Sequence, residues 1–329
     1  MTEIPIPAST PAKNALTSIL GSRKSARADK LYGAVLSVTG MSVLLIILAL
    51  GIELLLGSRE SLSKFGFSFF TTSDWDPNNQ IFGALPFILG TLYSSVVALL
   101  IALPISLFAA VFLAEIAPSW IERPLSFMIE LLAAIPSVVY GLWGLFVLRG
   151  WLVKFVEEPI SKNAWLSKIP IFGDLANGYD MFTASVILAI MITPYITSVS
   201  RDIFRAIPRS VREGSYALGA TQWETIKGVV FPYARAGVIG AVILGFGRAL
   251  GETMAVTMVI GNAPQFSPSL FKSGYTMASV IANELGEANG LGRSALIEIG
   301  LTLFIVTMIV NIAARLLIRL TAQDIHGGT

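Results

Sequence analysis

The sequence predicts an all-α polytopic membrane protein with six transmembrane helices and both termini on the cytoplasmic side. Apolar residues make up 54% of the 329-residue chain and charged residues 13%, with a mean hydropathy of +0.73, unlike a water-soluble domain. Six stretches, roughly 31–56, 84–114, 126–148, 182–199, 237–261 and 295–318, are apolar for long enough to cross a bilayer core of ~30 Å as helices. Lys and Arg are uneven across these spans, fourteen on the side of both termini and eight on the other, with Arg248 inside a span. That bias assigns the termini to the cytoplasm.

The leader 1–30, MTEIPIPASTPAKNALTSILGSRKSARADK, is polar, basic and rich in small residues, and reads as a solvated, largely disordered cytoplasmic tail. No cleavable signal is expected, because the first apolar run is too long for one. Span one ends near Glu53, at the outer interface, and residues 57–83 are extracytoplasmic, with Asp76-Pro77, Asn78-Asn79 and Gly83 marking irregular structure. Spans two to six form a core over 84–318, followed by a short tail over 319–329.

Pro104, Pro136 and Pro194 fall inside spans two, three and four, where kinks are expected. Each proline displaces the carbonyl four residues earlier, Leu132 for Pro136 and Ile190 for Pro194. The loop over 149–181 carries Lys154, Glu157, Glu158 and Lys162 and reads as a solvated outward surface. Span five pairs Ala241 with Gly245 and Gly247 with Gly251, a spacing that lets helices approach closely and predicts a protein-packed helix. Glu130 and Glu298 lie about one turn inside their spans, where interfacial solvation accounts for both. No internal repeat of the kind that builds many secondary transporters is visible.

The absences restrict the chemistry. There is no cysteine, and the single histidine, His326, is three residues from the C-terminus, which removes thiolate, zinc and histidine-base chemistry. With no Asp in any span and no H-E-x-x-H, a serine such as Ser137 has no base, so an intramembrane enzyme is not expected, nor a metal, a cofactor or a nucleic-acid partner.

The loop after span four, 201–236, reads SRDIFRAIPRSVREGSYALGATQWETIKGVVFPYARAG from residue 200. Ser210 with Glu213 and Thr221 with Glu224 have capping-box spacing, so two short helix starts are predicted, with Gly219 supplying the turn between them. Trp223, Ile226 and Val230 fall on one face of the second short helix, and Phe231-Pro232 is expected to end it. Such a hairpin suits either a partner protein or lipid headgroups.

Glu213, Gly219, Val229, Phe231 and Pro232 match the spacing of the EAA loop, although Gly214 and Ser215 stand where the motif has alanines. The chain thereby resembles the permease subunits of binding-protein-dependent ABC importers. That resemblance implies a type I ABC importer permease-like fold, with Glu213, Ala217, Gly219 and Trp223 coupling it to a cytoplasmic ATPase. No G-x-x-x-x-G-K-[ST] phosphate loop is present, so ATP and Mg are expected only on a dimeric partner ATPase. The strings IELLAAIPSVVYGLWGLF (129–146), VILAIMITPYI (186–196) and LGFGRALGETMAVTMVIGN (244–262) resemble the C-type inner-membrane subunits of phosphate-specific Pst importers. Further partners implied are a homologous A-type permease, a periplasmic or lipid-anchored binding protein, inorganic phosphate and membrane lipid.

The last string carries Arg248 and Glu252 in an otherwise apolar run. Four residues apart on a helix, they share a face and can pair, which answers the ~3 kcal/mol cost of each intramembrane charge. The residues alone leave two readings, an ion pair that fixes packing and an anion pathway. In the second, the guanidinium fork suits phosphate oxygens and Glu252 keeps the arginine from holding the anion too tightly. The resemblance implicates both residues in phosphate transport. Two other readings stand beside it: a permease for another oxyanion such as molybdate or sulfate, and a proton-coupled secondary transporter with Glu252 as carrier, which leaves the EAA-like loop without a task.

Overall fold

A computed structural model describes residues 23–163, 165–172 and 177–326; the leader over 1–22 lies outside the described residues. The chain divides into two units, Met1–Glu53 and Leu54–Thr329. The described part of the first is one helix, α1 (Arg23–Gly57), whose last residues belong to the second unit. It begins eight residues before the expected span, so 23–30 is helical and not a disordered tail.

The second unit is helical apart from a two-stranded hairpin, β1 (Trp75–Asp76) with β2 (Ile81–Phe82), beside the short α2 (Arg59–Phe65). Asp76 closes the turn by accepting the Asn78 and Asn79 amides at 2.9 and 3.2 Å. The helices that follow are α3 (Leu85–Val111), α4 (Ser119–Ala134), α5 (Ser137–Ser161), α6 (Met181–Arg205) and α7 (Arg209–Ala217). After them come α8 (Gln222–Gly251), the short α9 (Met254–Thr257), α10 (Met277–Glu284) and α11 (Gly290–His326). Among the described residues six helices are long and apolar enough to cross a membrane, as expected, but three of them differ from the predicted spans.

The run over 126–148 is not one span. Ile135 precedes Pro136 and is forced extended (ψ 131°), so α4 ends there and the crossing helix is α5. The presumed solvated loop therefore contributes helix up to Ser161, and Glu157 is fully buried, accepting the Gly178 amide at 3.2 Å and the Thr183 hydroxyl at 3.4 Å. Span five ends at Gly251, not near 261; residues 252–261 lie beyond the helix, and Val256 and Ile260 are apolar because they fill the core. The sixth helix runs on through most of the expected tail.

Three apolar clusters fill the second unit. Phe69, Trp75, Phe82, Phe87 and Tyr275 form one at the strand end. Ile187, Ile192, Ile196, Ala249, Val256 and Phe271 form the central one, and Phe204, Ile226, Val230 and Val238 a third beneath the loop after α6. Helix contact follows small residues: a Cβ on Gly245 would lie 2.6 Å from Ile196, whereas Gly247 and Gly251 face open space. Only one of the two small-residue pairs therefore makes the predicted helix contact. Glu298 is not solvated at an interface but fully buried, both carboxylate oxygens lacking a hydrogen-bond partner among the described residues.

Candidate functional site: an arginine at a helix break and a helical hairpin

Pro136 sets up the first half of the site. By ending α4 it frees the last carbonyls of that helix, and two tyrosines supply donors: Tyr140 Oη to Leu132 O at 2.8 Å and Tyr195 Oη to Ala133 O at 3.0 Å. Tyr195 stands beside Pro194 on α6, and its ring carries the guanidinium of Arg248, 4.4 Å from the centroid. Such a stack is worth about 0.5–2 kcal/mol and leaves the in-plane donors of the guanidinium unused.

Arg248 lies in the last turn of α8. Its Nε has no hydrogen-bond partner among the described residues, and none of the ion pairs there includes it. The expected pairing with Glu252 does not form. The helix ends at Gly251, Glu252 is extended (ψ 128°), and the i to i+4 geometry is lost. Its Oε1 instead accepts the Ala255 amide at 3.3 Å, holding the first turn of α9. Arg248 and Glu252 thus flank one helix break without neutralising each other.

The second half is the hairpin of α7 and the start of α8. Gly219 adopts φ +86°, as its place between the helices demanded. The Ala220 and Gly219 amides reach back to Ser215 O at 3.3 Å and Tyr216 O at 2.9 Å, a Schellman closure of α7. The Thr221–Glu224 capping box is present in both directions. The one expected at Ser210–Glu213 is absent, because Pro208 takes the N-cap and moves Ser210 inside α7. A hydrogen bond of 2.9 Å between the Ser215 and Thr225 hydroxyls closes the two arms.

Glu213, Ala217, Gly219 and Trp223 all lie exposed on this hairpin, with Leu218 91% and Trp223 61% accessible. Trp223 does not share the face of Ile226 and Val230, which are buried in the third cluster. A π-turn over Ile226–Val230 follows directly on the short first stretch of helix that carries Trp223. Nor does Phe231-Pro232 end the helix; Pro232 follows directly on that π-turn, where the altered bonding tolerates a missing N–H, and α8 continues.

Residues that the sequence did not single out fasten the hairpin. Arg212 donates to both oxygens of Glu115 (Nε to Oε2 3.1 Å, Nη2 to Oε1 2.6 Å) and to the Ile207 and Phe204 carbonyls, each at 2.6 Å. Gln222 Nε2 donates to the Glu115 carbonyl at 2.8 Å. Alongside, Arg201 pairs with Glu130 at 3.1 Å and Arg205 with Glu122, tying α4 to the end of α6. Glu130 is therefore an ion-pair partner rather than merely solvated. A lone acid ending an apolar run (FLAEIAP) was the available signal for Glu115.

A bundle of apolar helices with an exposed helical hairpin and a broken, charged helix defines a membrane permease. Residues 102–325 match the family described as the binding-protein-dependent transport system inner membrane component. The chain belongs to that family and, within it, to the phosphate transport system permease proteins of PstC type. The relative from Haemophilus influenzae is 46% identical over 88% of this chain and 93% of its own length. That from Pasteurella multocida is 48% identical (84% and 87%), and that from Xylella fastidiosa strain Temecula1 43% (94% and 97%). Among solved structures, a bacterial ABC transporter for the acidic polysaccharide alginate matches with a TM-score of 0.56 at 17% identity, covering 90% of this chain and 97% of that one. The MetNI methionine ABC transporter matches with 0.52 at 17% identity, over 71% and 94%. Both support the fold. The protein is a multi-pass inner-membrane transport permease.

Proposed function

We propose that the chain is the membrane-spanning subunit of an ATP-driven importer of inorganic phosphate. Its relatives are phosphate transport permeases, and the observation that carries the pathway is Arg248: an intramembrane guanidinium stacked on Tyr195 with no carboxylate partner among the described residues. A planar donor fork held by its face, with its edge unused, suits two oxygens of a tetrahedral oxyanion. Glu252, beyond the helix break, keeps the binding weak enough for release and can accept the O–H that phosphate retains and sulfate lacks.

The hairpin residues Glu213, Ala217, Gly219 and Trp223 dock on a dimeric cytoplasmic ATPase, which binds ATP and Mg. A homologous A-type permease completes the pathway, a periplasmic or lipid-anchored binding protein delivers phosphate, and both termini face the cytoplasm. The test is ATP-dependent phosphate uptake by the reconstituted complex. Arg248→Ala should lower it about a hundredfold, and Glu252→Gln should transport while losing preference for phosphate over sulfate. Undiminished uptake in Arg248→Ala returns the arginine to a packing role, and unaltered selectivity in Glu252→Gln removes the second assignment.

A further inference from the structure

The Arg212–Glu115 pair has no evident place in either the pathway or the docking surface. Its side chains are 16% and 7% exposed and face inward, whereas Glu213, the next residue, and Trp223 are exposed. One guanidinium joins the hairpin helix α7, the end of α6 through Phe204 and Ile207, and the π-turn Phe112–Ile116 that ends α3, while Gln222 adds the first turn of α8. The ends of α3 and α6 and both arms of the hairpin are thus bonded at one point.

We propose that Arg212 and Glu115 are positioning residues that form the joint through which hairpin movement reaches the pathway. The proposal rests on the reading of the chain as an ATP-driven permease. An apolar contact resists compression but slides under tension; a bidentate guanidinium–carboxylate pair fixes direction and rotation, so it transmits a stroke both ways. Onward transmission is also built. The α6 helix runs unbroken from Arg205 back to Tyr195, which carries Arg248. The α3 helix is bound to it midway, Ser106 Oγ donating to Thr193 O at 3.2 Å and Thr197 Oγ1 to Ser106 O at 3.4 Å. Lysine at 212 would keep the charge but not the fork, and glutamine at 115 would keep the shape but not the charge.

The test measures phosphate uptake and ATP hydrolysis together in vesicles holding the full complex, for wild type, Arg212→Lys, Glu115→Gln and, as a docking control, Trp223→Ala. In both joint variants the ATPase should co-purify and hydrolyse ATP, while phosphate moved per ATP falls about tenfold, the scale of one lost charged hydrogen bond. The control should lose ATPase association instead. Uptake and hydrolysis that stay in the wild-type ratio in both variants, or failure of both to assemble, would overturn the joint. Wild-type vesicles that ignore ATP would overturn the function and the joint with it.

Discussion

Arg212 and Arg248 each have a glutamate close by in sequence, Glu213 and Glu252, and neither pairs with it. Arg212 reaches across ninety-seven residues to Glu115 and adds two carbonyls, so its donors are engaged on three sides. Arg248 rests on a tyrosine face and leaves Nε without a partner among the described residues. A saturated guanidinium fixes a structure, and an unsaturated one is available to a ligand. The same residue type therefore fastens the structure at Arg212 and, on the proposed function, serves as a binding group at Arg248.

The sharpest way to break this comparison is to remove each arginine and read stability against transport. Arg212→Ala leaves the nearly buried Glu115 without its counter-charge and should cost about 3 kcal/mol, seen as a lower melting temperature of the complex and tryptic cleavage within 201–221. Arg248→Ala loses only the tyrosine stack and should lower melting less than Arg212→Ala does, while uptake falls about a hundredfold, since the lost charge-assisted bonds are to the anion. If the two phenotypes were exchanged, the assignment of fastening and binding would be reversed. Smaller effects sharpen the hairpin: Gly219→Ala forces a Cβ onto φ +86° and should cost about 1 kcal/mol, and Thr221→Ala, which removes the capping box, about as much. Both should weaken ATPase association without altering anion selectivity.

The smallest effect concerns Glu122, whose hydrogen bond from Arg205 holds its carboxyl below the usual 4.5. A lowered folded-state pKa contributes stability that is complete above 4.5 and lost as pH falls through the lowered value. Wild type should therefore lose slightly more stability than Glu122→Gln on acidification below that point, and parallel pH profiles would remove the pair from the account.

Which parts of this were legible in the sequence follows from the range of each interaction. Apolar runs report burial, so six crossings, the Gly219 turn and the Thr221–Glu224 box were readable from local pattern. Burial does not report direction. The runs over 126–148 and 237–261 are each predominantly apolar, yet the chain breaks at Ile135–Pro136 and at Glu252, where residues before and after fill one core from different helices. Helical spacing likewise implied an Arg248–Glu252 pair that a single extended residue prevents. Glu115 and Arg212 were hidden because their pairing spans the whole of α4, α5 and α6, a separation that no local spacing encodes.

The π-turn at Ile226–Val230 lets α8 pass Pro232 without ending, so Trp223 and Arg248 belong to one continuous rod. From residue 222 to 248 that rod is about 39 Å long at 1.5 Å per residue, and a pivot of about 5° at its exposed end sweeps the guanidinium through roughly 3 Å. On the proposed function, a displacement of that size separates gripping an oxygen from letting it go, so a few degrees at the foot of the helix would give the leverage to gate the anion.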